Sequence, residues 1–415
     1  MDSNISFLLG SGFSIPEGLP GVRALNERLG KINEKEIFIH TDQKAFFLNG
    51  AEDPNRWMKG CERLFVQEFL DFYTGEVLKH GEKFDYETFY DFYSKYLHSK
   101  GNKDIIEGFH KRFAEKFGPD SWAVRDCHNT LADFNRTFNQ LLAEQLIRIQ
   151  YYDNSTINAH SPYDGFINFL VQLLETNRVK VHTLNHDLFF DWLGQHHDKL
   201  FEHYCDGFSL AGSPFYGIVY DYNSAPDSRL EYSTSYRVKI PAFLEDFSKK
   251  LALYKLHGSI DMKKVYVGQP VRSINRIKQV RRVDHLAIEV FDENTGKYAF
   301  EGIHDQVEPD YLSGKSSKIR QYDDESYYKI LFDEFEKNLR SAKVLIVIGY
   351  GFMDFGINEY LQRYFLDLNK KIIVVDPYLL KGNLPVSGNI EVINKGIDHM
   401  KLVDFQNAVT NATLG

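Results

Sequence analysis

Five short apolar runs constrain this chain more than any other feature: Ile5-Ser-Phe-Leu-Leu9, then VKVHTLN (179–185), LALYKLHG (251–258), VLIVIGYG (344–351) and IIVVDP (372–377). They are rich in β-branched residues and apolar at successive positions, which suits central strands covered on both faces. Helical patterns separate several of them, and that alternation implies a parallel α/β sheet. Each run also ends in a polar residue or a glycine. Ligands of open α/β sheets sit beyond the carboxyl ends of the strands, so Gly10, Asn185, His257, Gly349 and Asp376 are expected to line one crevice.

Between the first two runs the character changes. Residues 31–155 carry aromatic stripes at helical spacing, as in LFVQEFLDFY and YETFYDFYSKYL, and read as an inserted helical subdomain whose rings form its core. If those rings instead faced outward they would mark a subunit contact. The expected division is therefore 1–30 with 156–400 as the catalytic domain, 31–155 as the insertion, and 401–415 as a C-terminal tail containing MKLVDFQNAV, a closing helix. Segments 205–250 and 262–325 have weak periodicity and read as loops and hairpins.

The chain has 415 residues, 43% of them hydrophobic and 26% charged, which excludes disordered and fibrous classes. No apolar run approaches the roughly 18 residues that span a bilayer. The opening residues lack a basic region and a long apolar segment, so a cytoplasmic location is expected. Cys61, Cys127 and Cys205 are too scattered for a disulfide framework or a thiolate zinc site, and no metal is expected. The formal net charge of −9 argues against nucleic acid as a primary ligand. One local exception is Lys263 to Arg282, with seven basic residues, including Arg272, Arg276, Lys278, Arg281 and Arg282, and no acidic one. It reads as a solvated hairpin or a partner-facing loop.

Chemistry concentrates at the ends of the runs. Gly10-Ser11-Gly12 closes the first and would let backbone approach a phosphate, although a bare glycine loop serves equally as a structural turn. Thr183-Leu-Asn-His-Asp187 precedes the helical DLFFDWL, where Asp187 could simply cap that helix. Lys255-Leu-His-Gly-Ser259 offers His257, an imidazole able to take a proton near neutral pH. Asp354 in GFMDFGINEYL reads as the cap of the next helix.

In order, these segments resemble the sirtuin family. Gly10 to Arg23 aligns without gaps to G-A-G-x-S-x-x-x-G-I-P-D-F-R through Gly10, Gly12, Ser14, Gly18, Pro20 and Arg23, with Ser11 for Ala, Leu19 for Ile, and Gly21 and Val22 for Asp and Phe. Thr183 to Asp187 resembles T-Q-N-x-D, and His257-Gly258 resembles the family's histidine-glycine pair. Gly349 stands where the family has G-T-S, with Tyr350 and Gly351 departing. The paired CxxC zinc ribbon of the deacylases is absent, and the chain looks like the divergent branch found in bacterial antiphage systems.

The resemblance implies a Rossmann-like parallel sheet with helices on both faces, NAD⁺ as substrate, and hydrolysis of NAD⁺ to nicotinamide and ADP-ribose. His257 would be the base, Asn185 would orient a ribose hydroxyl and a water, and Asp187 would hold the nicotinamide carboxamide. Gly10, Ser11, Gly12, Ser14, Arg23, Thr183, Gly349, Tyr350 and Asp376 would line the NAD⁺ site. The alternatives are an NAD-dependent protein deacylase and a nucleotide-sensing scaffold. A homo-oligomer and a translocase-type ATPase partner are also expectations of the resemblance, and no membrane contact is expected.

Overall fold

A computed structural model describes residues 5–40, 44–48, 60–118, 126–148, 157, 159–224, 230–268, 271, 273–279, 285–293, 295–305, 308–315, 318–319 and 326–414. Its centre is a seven-stranded sheet, numbered here β1 (Ile5–Leu9), β2 (Val179–Thr183), β3 (Tyr204–Cys205), β4 (Leu251–Lys255), β5 (Val344–Ile348), β6 (Lys371–Val375) and β7 (Ile390–Ile393). The spatial order is β7-β6-β5-β1-β2-β4-β3, and every pairing is parallel. The expected Rossmann-like α/β sheet is therefore present.

Alternation along the strands explains why the runs are apolar throughout. In β1, Ile5, Phe7 and Leu9 join one hydrophobic cluster, while Leu8 joins the cluster on the other face. In β5, Val344, Ile346 and Ile348 divide in the same way from Leu345 and Val347. The first face is covered by helices that include Asp164–Thr176 and Leu402–Leu414, where Phe169 and Phe405 stack with centroids 5.1 Å apart. The opposite face is covered by Ser326–Ser341, through Leu331, Phe332 and Phe335, and by Phe355–Tyr364, through Ile357 and Leu361. The expected tail is thus a helix packed on the sheet domain.

Among the described residues, α1 (Val22–Leu29) is followed by four helices within the segment 31–155: α2 (Gly60–Phe72), α3 (Tyr86–Ser99), α4 (Lys103–Phe117) and α5 (Cys127–Leu146). Their rings face inward. Phe65, Phe69, Phe89, Tyr93, Phe134 and Phe138 are all 1% exposed or less and pack edge-on or stacked on one another. The aromatic stripes are core, and the outward-facing subunit contact considered above is not formed by these rings.

The weakly periodic segments hold more regular structure than their sequence suggests. They form a five-stranded antiparallel sheet from Gly207–Ser209, Ala242–Asp246, Met262–Val267, Ser273–Lys278 and His304–Asp305, and a four-stranded one from Phe215–Ser224, Leu230–Lys239, His285–Asp292 and Lys297–Gly302. The basic hairpin belongs to the first. Arg276 and Lys278 are not solvated: each is 5% exposed and paired with buried carboxylates, Arg276 with Asp310 at 2.7 Å and Lys278 with Asp191 and Asp206 at 2.6 Å. Arg272, Arg281 and Arg282 lie outside the described residues. Among the described residues no helix is long and apolar enough to cross a membrane.

Candidate active site

Strand order locates the site. β1 is flanked by β2 on one side, with β4 and then β3 beyond it, and by β5 on the other, with β6 and β7 following outward in chain order. The chain order reverses there, and in open α/β sheets the carboxyl ends of the strands at such a reversal are where ligands bind.

The glycines at this point do something other than cradle a ligand. Gly349 has φ +63°, and a Cβ on it would stand 2.3 Å from the Phe13 nitrogen. A Cβ on Gly10 would meet the Gly349 oxygen at 2.6 Å, and one on Gly12 would meet the Gly349 Cα at 2.7 Å. The loops after β1 and β5 are therefore interlocked backbone to backbone, which only glycine permits. The amides are also committed: Gly10 N donates to Ile348 O, Gly12 N to Gly349 O, Phe13 N to Gly10 O and Ser14 N to Ser11 O. Gly10, Gly12 and Gly349 are thus held in loop-to-loop packing. Nor does the strand feed straight into α1, because two short turns, Ser11–Phe13 and Ile15–Glu17, intervene.

What the loop does present is Ser14. The Asn185 side-chain amide donates to Ser14 Oγ at 3.1 Å and to Gly10 O at 3.0 Å, joining the end of β2 to the β1 loop. Thr183 is buried and shapes this turn, its hydroxyl accepting the Asn185 N–H at 3.1 Å. Asp187 accepts a hydrogen bond from Ser14 and, through Oδ1, the Phe189 N–H at 3.0 Å, at the start of the helix Phe189–His196. It thus closes the turn into that helix, whose N-cap position is Leu188, and also joins the cluster. Burial lifts the Asp187 carboxyl above its usual range, against the pull of Lys255 and its hydrogen bonds.

His257 follows β4, the strand beside β2. It is 5% exposed, its ring bonds to the backbone of Leu184, and Nε2 lies 3.5 Å from Asp354 Oδ2. Burial, assisted by the charge of Lys318, pushes the imidazole well below the ordinary histidine value, so it is neutral at pH 7. Asp354 caps the next helix, Phe355–Tyr364, by accepting the Ile357 N–H at 3.2 Å.

Ser14, Thr183, Asn185 and Asp187 are directly linked, and His257 joins them through its bond to the Leu184 backbone. The other expected residues are placed differently. Tyr350 is buried, and its hydroxyl braces the loop by donating to Asn358 Oδ1 at 3.0 Å, so it is not offered to a cofactor. Arg23 projects from α1 with its side chain 91% exposed and pairs with Glu27. Ser11 is half-buried where the first turn begins. Asp376 stands after β6 and accepts the Tyr378 N–H at 2.8 Å, a local turn at a partly exposed position.

A buried ionic network that sequence reasoning did not identify supports the cluster. Lys255 donates to the Asp187 carbonyl and to Asp191 Oδ2 at 2.8 Å, and Asp191 also receives Lys278 at 2.6 Å. Burial alone would raise the Asp191 carboxyl, but the two lysines outweigh it and hold the group ionised. A cavity of about 480 Å³ lies against Asp191, Asp206, Lys278 and Trp192. A second, of about 550 Å³, is remote from the chemistry, at the amino end of β2 between Arg178, Lys180 and Lys249. His186 was also missed; its ring stacks 4.6 Å from that of Tyr311 and 6.2 Å from that of His257. Among the described residues no group of His, Cys, Asp and Glu could hold a metal ion.

The buried imidazoles carry a pH prediction. His182, fully buried between the Phe7 carbonyl and Asn338, is pushed down to about 3, mainly by burial, and His257 is lowered for the same first reason. Unfolded histidine takes a proton near about 6.5 while these two do not, so their contribution is complete above that pH and falls as the pH drops. Each contributes a loss of ~1.4 kcal/mol per pH unit below it. The lifted Asp187 acts in the opposite sense. Urea unfolding at pH 7.5 and 5.5 is expected to show lower stability at 5.5, and equal stabilities would show that the folded protein accepts these protons.

The fold and site define an open parallel α/β protein with polar residues gathered at the strand-order reversal. Comparison with solved structures gives Sir2 homologues. A Sir2 homolog–NAD complex is 10% identical, over 99% of this chain and 91% of that one, with a TM-score of 0.33. Sir2Tm bound to a propionylated peptide is 13% identical, over 98% and 92%, also at 0.33. These overlaps are too loose to assign membership, and the fold stands on its own strand order. No family model and no curated protein matches the chain.

Proposed function

We propose that this chain cleaves the nicotinamide–ribose bond of NAD⁺ with water, giving nicotinamide, ADP-ribose and a proton. The observation that carries this reading is the linked set Ser14, Asn185 and Asp187, with neutral His257 on the neighbouring strand end. Three sequence segments that resemble sirtuin motifs in order supply it.

Cleavage of this bond develops an oxocarbenium-like ribose, so the site needs a leaving-group holder, an oriented water and a base. Both Asn185 amide hydrogen bonds go to protein acceptors, which makes its Oδ1 the atom that meets a water or ribose hydroxyl. Asp187 uses Oδ1 for the Phe189 N–H, but a carboxylate has about four lone-pair positions, enough to accept a carboxamide N–H as well. Neutral His257 takes the proton. The likeness to the antiphage branch leads us to place this activity in NAD⁺ depletion during bacterial defence.

Purified protein incubated with NAD⁺ and analysed by chromatography is expected to yield nicotinamide and ADP-ribose without any acyl-peptide. Turnover only with an acylated peptide would make it a deacylase, and no turnover in either condition would remove the enzymatic reading.

A further inference from the structure

His257 is connected to the helical segment by a line of charge. Asp354 Oδ2, 3.5 Å from its Nε2, also receives Lys318 Nζ at 2.8 Å, and Lys318 in turn reaches Glu87 of α3 at 3.0 Å. Lys318 is 3% exposed, a burial that an ammonium tolerates only when paired. Its own segment is fastened to the helices on one side and to His257 on the other. Lys315 N donates to Asp91 of α3, and Tyr311 donates to the Asn139 carbonyl of α5 at 2.7 Å. Leu312 N donates to the His257 carbonyl at 2.8 Å.

We propose that Lys318 is a positioning residue for His257: anchored by Glu87, it neutralises Asp354 and so fixes how much carboxylate charge the imidazole meets. This deepens the reading of His257 as the base and rests on it. Among the described residues, the charged or titratable groups around the ring are Asp354 at the helix start, Lys318 beside it, His186 after β2 with Tyr311 tilted against it, and Lys255 of β4 two residues upstream. Of these, Lys318 is the cation tied to the carboxylate nearest the ring. Without it, Asp354 would face His257 uncompensated and hold a proton on the imidazole. With it, the imidazole rests neutral while a counter-ion stands ready for the imidazolium formed when the base accepts a proton. α3 thereby takes part in the chemistry, although residues 31–155 contain none of the strand-end motifs.

The test is Lys318→Met, read in two ways: the acid limb of the NAD⁺-cleavage pH profile, and direct titration of the His257 ring by NMR. Both are expected to move to higher pH by about one unit or more, the scale of a nearby carboxylate. Adding Asp354→Asn, which keeps a capping side chain, should return both toward the wild type, as should Lys318→Arg alone. Should Lys318→Met alone fail to fold, Glu87→Gln with Lys318→Met removes the lysine together with its anchor and carries the same expectation. A His257 titration unmoved by either variant, or moved downward, overturns the proposal. The NMR reading needs no turnover, so shifted titration in a protein that never cleaves NAD⁺ would retain the positioning role and reject only the substrate.

Discussion

Replacing His257 by alanine is expected to lower NAD⁺ cleavage about 10²–10⁴-fold, the usual cost of losing a positioned base. A strand-end position taken alone would leave the fold of such a variant intact. Its burial modifies this: with the ring 5% exposed and bonded to the Leu184 backbone, alanine leaves a gap between β2 and β4 and should also lower the melting temperature. His257→Gln separates the two effects, since it fills more of the space and retains a donor but supplies no base. Comparable loss in both variants, with a smaller melting shift in the glutamine, is the expected pattern. Full activity in His257→Gln would take the imidazole out of the mechanism. Asn185→Ala should also abolish turnover, and it additionally removes the ties to Gly10 and Ser14 that hold the β1 loop against β2.

The second large effect is on stability. Asp191→Ala is expected to cost about 3–5 kcal/mol, the penalty for leaving buried charge uncompensated. Lys255 and Lys278 both rest on this carboxylate, at 2.8 and 2.6 Å, and both are 5% exposed or less. Lys278 keeps Asp206, while among the described residues Lys255 keeps the Asp187 carbonyl as its remaining hydrogen-bond acceptor, so the turn bearing Asp187 should loosen as well. Denaturant unfolding measures the first effect. A change below about 1 kcal/mol would show that water reaches the network and solvates it.

The sheet was legible because its strands are buried on both faces and therefore read as uninterrupted apolar runs. Two of the strand ends were legible as polar positions, and the structure links them: Asn185 to Ser14, and His257 to the Leu184 backbone. Asp354 as a cap was legible too, from a carboxylate placed just before an apolar helical pattern. The glycines were misleading: a Gly-Ser-Gly turn has the same sequence whether it approaches a phosphate or another loop, and only the position of Gly349 distinguishes the two. The ionic network left a faint signal, a lysine inside LALYKL and an aspartate inside DLFFDWL, both charges in apolar surroundings that demand partners. Nothing in the sequence pairs Glu87 with Lys318, which lie 231 residues apart. The basic hairpin misled for a related reason, because local composition reports charge but not the distant carboxylates that neutralise it.

The interlocked glycines also limit how this chain can vary. Gly10, Gly12 and Gly349 occupy one shared space from two sides, so a side chain at any of them requires the facing loop to move. Substitution there is a joint matter for both halves of the sheet. The two halves, already paired along β1 and β5, are locked again at this seam of loop backbone, and neither loop has an independent hinge: whatever opens the end of β1 must carry the end of β5 with it.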